Sequence, residues 1–315
     1  MRRCACLLVL ALSLSVTSAR AEDNDIVLSR LGTPTVEGDQ VVGVVGNNQA
    51  FRSLASELGV VMAPRLLEPS DTIGFGGFQF TLDTAFTSIS SGANYWDTLE
   101  AESNGFMPTV GFFARKGIWM PLPSFEIGVG AVKLLQSRMW SAQGYLKFAL
   151  HEGYHNLPIP SLAVRGGASR LMGSEQLDLT VASLDVSMSK EFGLGGMINL
   201  APYGGWNLLV VIPRSEVVDR TPGVDQITDP TDRANSFVFV DQDNIYRHRF
   251  FAGAKLKYYV FTLTLEANLA IAGSSIDDRS GTDSRCDAAG TTDDCDAEDA
   301  AESQQTYTVS LGLDF

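Results

Sequence analysis

The chain has 315 residues, 30 glycines and a formal net charge of −14, from 37 acidic against 23 basic residues. That balance excludes nucleic acid as a partner, because phosphate backbones are bound by cationic surface. A mean hydropathy just above zero, built from short alternating apolar runs, does not suit a soluble α/β enzyme. It suits a barrel with one lipid face and one wet face.

Arg2 and Arg3 followed by the apolar run 6–14 read as a secretory signal peptide spanning 1–21. The run is shorter than the ~20 apolar residues of a spanning helix. Ala19 and Ala21 offer the small residues that signal peptidase reads, so Glu22 is the expected mature start. Cys4 and Cys6 fall in the discarded segment, and neither stands at the cleavage point where a lipoprotein cysteine would be. Export places the mature chain where disulfides persist, and Cys286 and Cys295 are the expected pair.

Residues 22–73 do not read as barrel wall. Asn47 and Asn48 predict the cap of a short helix through Leu58, with Phe51, Leu54 and Leu58 on one face. Val41 to Val45 reads as a short strand, which would raise the strand count from ten to twelve. The segment is expected to enter the lumen as a plug or to dock on the periplasmic mouth.

From residue 74 onward, apolar and polar residues alternate in stretch after stretch. Phe78 to Thr87, Val110 to Arg115, Phe125 to Ala131, Trp140 to Phe148 and Leu162 to Ser169 each follow the pattern. Leu177 to Met188 alternates with a slip of parity near Ala182 and Ser183, which predicts a bulge. Ile198 to Ile212 is long, and Pro202 predicts a bulge or kink within it. Arg249 to Tyr258 and Phe261 to Leu269 follow, separated by a tight turn. In the last stretch Tyr307, Val309, Leu311, Leu313 and Phe315 share one face, opposite Thr306, Thr308, Ser310, Gly312 and Asp314.

That terminal pattern, ending in Phe315, resembles the assembly signal of bacterial outer-membrane β-barrel proteins. It implies an all-β fold, an antiparallel transmembrane barrel of about ten strands, located in the outer membrane. Outer-membrane lipid and the barrel-assembly machinery are then expected partners, with periplasmic proteins of an envelope complex as further candidates. In joining a plug to such a barrel, the chain also resembles the long-chain fatty acid channel family, whose barrel is larger. No motif residue carries a site across from that family.

Strand parity points Asp83, Arg115, Glu126, Lys147, Arg165, Arg249, Lys255, Lys257, Glu266 and Asp314 inward. These lumen-lining candidates read either as an internal ion-pair network that closes the barrel or as a basic ladder along a narrow anion path. From Asp277 to Glu302 ten acidic residues crowd a loop that Cys286 and Cys295 would staple. Their spacing matches no calcium cage, so a solvated loop is expected and no metal.

His151, Glu152 and His155 match the H-E-x-x-H pattern of zinc proteases, which needs both histidines on one helical face. Here the pattern follows a strand and runs into Pro158 and Pro160, so a turn is expected. His248 is expected on the outward face. No nucleophile, base and orienter come together, and neither an enzyme nor a cofactor is expected. The leading functional expectation is a narrow channel or uptake protein for small or amphipathic solutes. The alternative is a structural anchor or surface component of an envelope-spanning assembly, such as secretion or motility machinery.

Overall fold

The structure, a computed structural model, describes residues 22–101, 105–118, 124–152, 159–224, 226, 229–277 and 297–315. After a 3-10 turn at Leu28–Leu31 come β1 (Gly32–Glu37), β2 (Gln40–Gly46) and α1 (Asn48–Val61). Six strands follow: β3 (Phe78–Ser88), β4 (Phe106–Ile118), β5 (Phe125–Leu134), β6 (Trp140–His151), β7 (Ser161–Met172) and β8 (Leu177–Ser189). Then come β9 (Phe192–Leu194), β10 (Ile198–Ser215), β11 (Val218–Asp219), β12 (Ser236–Phe237) and β13 (Ile245–Tyr258). The chain closes with β14 (Phe261–Ala270), β15 (Ile276–Asp277), β16 (Ala297–Glu298) and β17 (Gln304–Asp314).

Ten strands, β3 to β8 with β10, β13, β14 and β17, form one closed antiparallel barrel in chain order. The last strand seals it against the first, from Thr306 opposite Thr87 to Asp314 opposite Gln79. Closure leaves no open sheet edge, which is what allows a sheet to sit in lipid. β9 pairs only with the foot of β10 and extends the wall there. Val41 to Val45 falls within β2, which pairs with β1 outside the barrel, so the wall has ten strands and not twelve.

The two ends differ. At one end the connections are short, as at Tyr259 and Val260, and Phe315 lies there, bonded through its backbone to Phe78. The segments 89–105, 216–244 and 271–303 join strands at the other end. Short turns mark the periplasmic end of such barrels and long loops the outer end.

Alternation places apolar side chains outward along every wall strand. Leu82, Phe112, Val129, Leu146, Phe250 and Leu265 are all exposed, and Leu311 is 61% exposed. Such a continuous apolar exterior on a closed barrel is a lipid-facing surface. Tyr307, Val309, Leu313 and Phe315 lie on the same outward face.

The expected bulge in β8 is absent. Register runs without a shift from Leu177 to Ser189 against β10 and from Thr180 to Ser189 against β7. Leu177, Leu179 and Val181 point inward just as Ser183, Asp185, Ser187 and Ser189 do. The parity is constant; what changes is the chemistry of the lumen, apolar in its outer half and polar below. Pro202 sits where β10 passes from pairing with β8 to pairing with β9, a gap in the ladder on that side. A residue without an N–H is tolerated at such a gap.

Candidate functional site: the filled lumen

The N-terminal segment enters this barrel from the outer end. Asn24 N–H donates to Gln136 O at 2.8 Å and Val27 N–H to Thr98 O at 2.8 Å, both in outer connections. The β1–β2 hairpin lies at that end too, with Phe237 and Phe239 against Gly32 and Gly46. The chain then runs down the lumen and emerges at the periplasmic end to begin β3. Docking on the periplasmic mouth, one of the two arrangements expected from sequence, is therefore not what the chain does.

α1 fills the outer half. Asn47 caps it, its Oδ1 accepting from Ala50 N–H at 2.9 Å. Phe51, Leu54 and Leu58 are buried with Leu177, Leu179, Val181, Leu209, Val211 and Ile245 of the wall. Phe51 stacks on Phe239 at 4.4 Å between centroids, and a Cβ on Gly59 would meet Val211 at 2.6 Å. The helix leaves its polar side chains buried as well, and the outer loops answer them. Glu57 accepts from Ser90 N–H at 3.0 Å, Ser90 Oγ at 2.6 Å, Tyr95 Oη at 2.8 Å and Trp96 Nε1 at 2.7 Å. Arg52 donates to Asp243 O at 3.0 Å and Ser275 Oγ at 2.9 Å, and Ser56 to Asp299 at 2.7 Å.

Below the helix, residues 62–73 belong to no helix or strand, Leu67 even taking a positive φ of 37°, and they have no strand to pair with, because every wall strand already has two neighbours. Their backbone groups must still be satisfied. Wall side chains do it. Gln143 reaches Met62 O, Ala63 O and Arg65 N. Arg249 donates to Pro64 O at 3.3 Å, Arg165 to Leu66 O at 2.6 Å, and Lys147 to Asp71 O at 3.0 Å. Glu266 accepts from Leu67 N–H at 2.7 Å, Ser189 from Ser70 N–H at 2.9 Å and Glu126 from Ile73 N–H at 3.1 Å.

Two side chains of the threaded segment complete the seal. Glu68 bridges Arg115 on β4 and Lys255 on β13, the latter at 2.9 Å. Arg65 pairs with Asp83 at 3.2 Å. Six further wall charges pair among themselves: Lys147 with Glu126 at 3.1 Å, Arg165 with Asp185 at 3.0 Å, Lys257 with Asp314 at 2.7 Å. Arg249 is held by Asn207 at 2.8 Å. All ten lumen-lining candidates thus point inward. Eight are buried, while Lys257 and Asp314 line the periplasmic mouth.

At the outer rim Asp25 clamps the start of the segment. It accepts from Ser137 Oγ, Arg138 N–H and Arg138 Nε at 2.8, 2.8 and 3.0 Å. Burial raises its pKa, but these bonds and that from Glu22 N–H outweigh the burial and hold it below the usual carboxylate value. Asp299 goes the other way: burial pushes it up despite the bonds from Ser56 and Ala301.

The described part of the H-E-x-x-H match, His151 and Glu152, is not helical. His151 ends β6, and Glu152 accepts from Thr72 N–H at 3.0 Å and Ser124 Oγ at 2.8 Å, tying the exit of the plug. His155 lies outside the described residues, as do Cys286 and Cys295 and most of the acidic loop. Among the described residues no cluster of His, Cys, Asp and Glu is arranged to hold a metal. His248 faces outward and stacks on Trp206 at 5.7 Å.

No protein-family model matches the chain, and no curated protein does. Solved structures that resemble it include Ail, the attachment invasion locus protein of Yersinia pestis, at 10% identity and a TM-score of 0.27, covering 76% of this chain and 99% of that one. The outer membrane protease OmpT of Escherichia coli gives 8% identity and 0.35, over 79% and 98%. A Pseudomonas aeruginosa FadL homologue gives 9% and 0.21, over 85% and 98%, so the likeness to the fatty acid channels is weak. Scores of this size carry nothing across to this chain. Its own closure, alternation and apolar exterior define it as an integral β-barrel protein of the bacterial outer membrane.

Proposed function

We propose that this protein is a closed, non-catalytic anchor: a sealed barrel that holds a surface assembly of hairpin and loops in the outer membrane. One observation carries the reading. The lumen is occupied along its length by the protein's own chain, and Glu68 ties that chain to two separate wall strands, β4 and β13, through Arg115 and Lys255. Removing one member of a buried ion pair leaves an uncompensated charge, so such a tie resists displacement. The outer end supports the same reading. There β1–β2, β11–β12, the helical turn Pro230–Asn235 and β15–β16 pack over the barrel mouth and expose Val36, Val42 and Val217.

The channel reading makes the opposite demand, a path past residues 48–73. Planar-bilayer recording of the full-length protein separates the two. The anchor reading expects no unitary current steps at voltages the bilayer tolerates. Reproducible steps from the unaltered protein, with solute uptake into liposomes, would overturn it.

A further inference from the structure

The lipid-facing wall has a hollow of about 480 Å³ near its periplasmic end, where β13, β14, β17, β3 and β4 run side by side. That is within the ~300–1,000 Å³ of small-molecule sites. Phe80 and Phe112, stacked at 6.0 Å, form one bank, and Tyr258 and Phe261 the other, with Leu311 and Leu313 between. The floor is Thr81, Thr262 and Gly312. All three sit at inward positions of their strands, so the floor is chiefly backbone.

A hollow in this face is reached only from within the membrane, and its lining is almost wholly apolar. Below it, on the same outward face, stands Lys116, paired in register with Phe78. Its Nζ lies 5.7 Å over the Phe78 ring and donates to Gly76 O at 3.2 Å, which holds the cation at the periplasmic rim. The loop it holds carries Phe75, 82% exposed. An apolar hollow with a cation beside it, nearer the strand ends, offers separate partners to an acyl chain and to the phosphate that carries it.

We infer that this hollow binds one acyl chain of an anionic phospholipid from the periplasmic leaflet, with its phosphate at Lys116. The site is separate from the lumen and does not depend on whether the barrel conducts.

The test uses full-length protein in phosphatidylcholine vesicles with a trace of phosphatidylglycerol or phosphatidylcholine bearing a photoactivatable diazirine on the acyl chain. Labelled peptides are mapped by mass spectrometry. The phosphatidylglycerol probe is expected to concentrate on 78–82, 261–263 and 311–313 over the opposite wall at 184–188. One basic side chain near a bilayer surface corresponds to a preference of about five-fold over phosphatidylcholine. Lys116→Gln should abolish that preference, and Lys133→Gln, on the outward face at the other end, should leave it intact. Heat-modifiable electrophoretic mobility verifies that each variant is folded. Even labelling around the barrel, equal labelling by the two probes, or a preference that survives Lys116→Gln would each overturn the proposal.

Discussion

The two halves of the lumen solve one problem in opposite ways. In the outer half the occupant is a helix, whose backbone hydrogen bonds are internal, so the wall facing it can be apolar: Leu177, Leu179, Val181, Leu209 and Val211. In the periplasmic half the occupant is an irregular chain, whose N–H and C=O groups have neither helical partners nor a partner strand. The wall facing it must be polar, and it is: Gln143, Lys147, Arg165, Arg249 and Glu266 each bond the threaded backbone. Most of the inward charges of this barrel therefore answer a peptide: Arg115, Lys255, Asp83, Lys147, Arg165, Arg249, Glu126 and Glu266 each bond the threaded segment. β8 crosses from one regime to the other within one strand, leucine and valine above, serine and aspartate below.

This contrast can be broken by substitution, and the largest effect is expected at the polar tie. Glu68→Ala strands Arg115 and Lys255 in a buried site and should cost about 3–5 kcal/mol, read from the urea midpoint of the folded barrel in lipid. In the apolar half Leu58→Ala removes a buried side chain, and a cost of about 2–5 kcal/mol is expected from the same measurement. Salt should distinguish them little, because both are shielded from solvent. Asn47→Ala loses only the helix cap, for about 1 kcal/mol.

The smallest effect is expected at Asp25, where the segment is pinned to the outer rim. Its folded-state pKa lies below the unfolded value of about 3.9, so the clamp contributes fully above that pH. The contribution is lost as pH falls through the depressed folded value. Thermal unfolding followed from pH 6 downward should show a loss below about pH 4 that Asp25→Asn lacks. A parallel pH dependence in the two proteins would remove Asp25 from the account.

Much of the wall was legible in the sequence, because a strand with lipid on one side and protein on the other cannot avoid a period of two. Phe78 to Thr87 and Tyr307 to Phe315 show it plainly, and the parity pointed the ten lumen charges inward. What was not legible was the identity of their partners. Arg65 and Glu68 carry the seal, yet nothing in periodicity marks a charge in an irregular segment as buried, and Asp185 of β8 is hidden only by the expected slip of parity. A signal was there in retrospect: Pro64 and Pro69 keep 62–73 out of helix, and the inward leucines of β8 announce an apolar occupant above. That second signal resembled a bulge, since constant parity with changing chemistry and changing parity with constant chemistry look alike along one strand.

The central claim is that the chain threads the barrel, with its hairpin outside and its exit in the periplasm. Site-directed labelling tests it most directly. In a background with Cys286→Ser and Cys295→Ser, single cysteines at Val42 and Phe75, both exposed, are challenged on intact cells with a membrane-impermeant maleimide. The account predicts that Val42→Cys labels at once, whereas Phe75→Cys labels only after the outer membrane is permeabilised. Labelling of Val42→Cys confined to permeabilised cells would place the hairpin on the periplasmic side and contradict the threaded barrel.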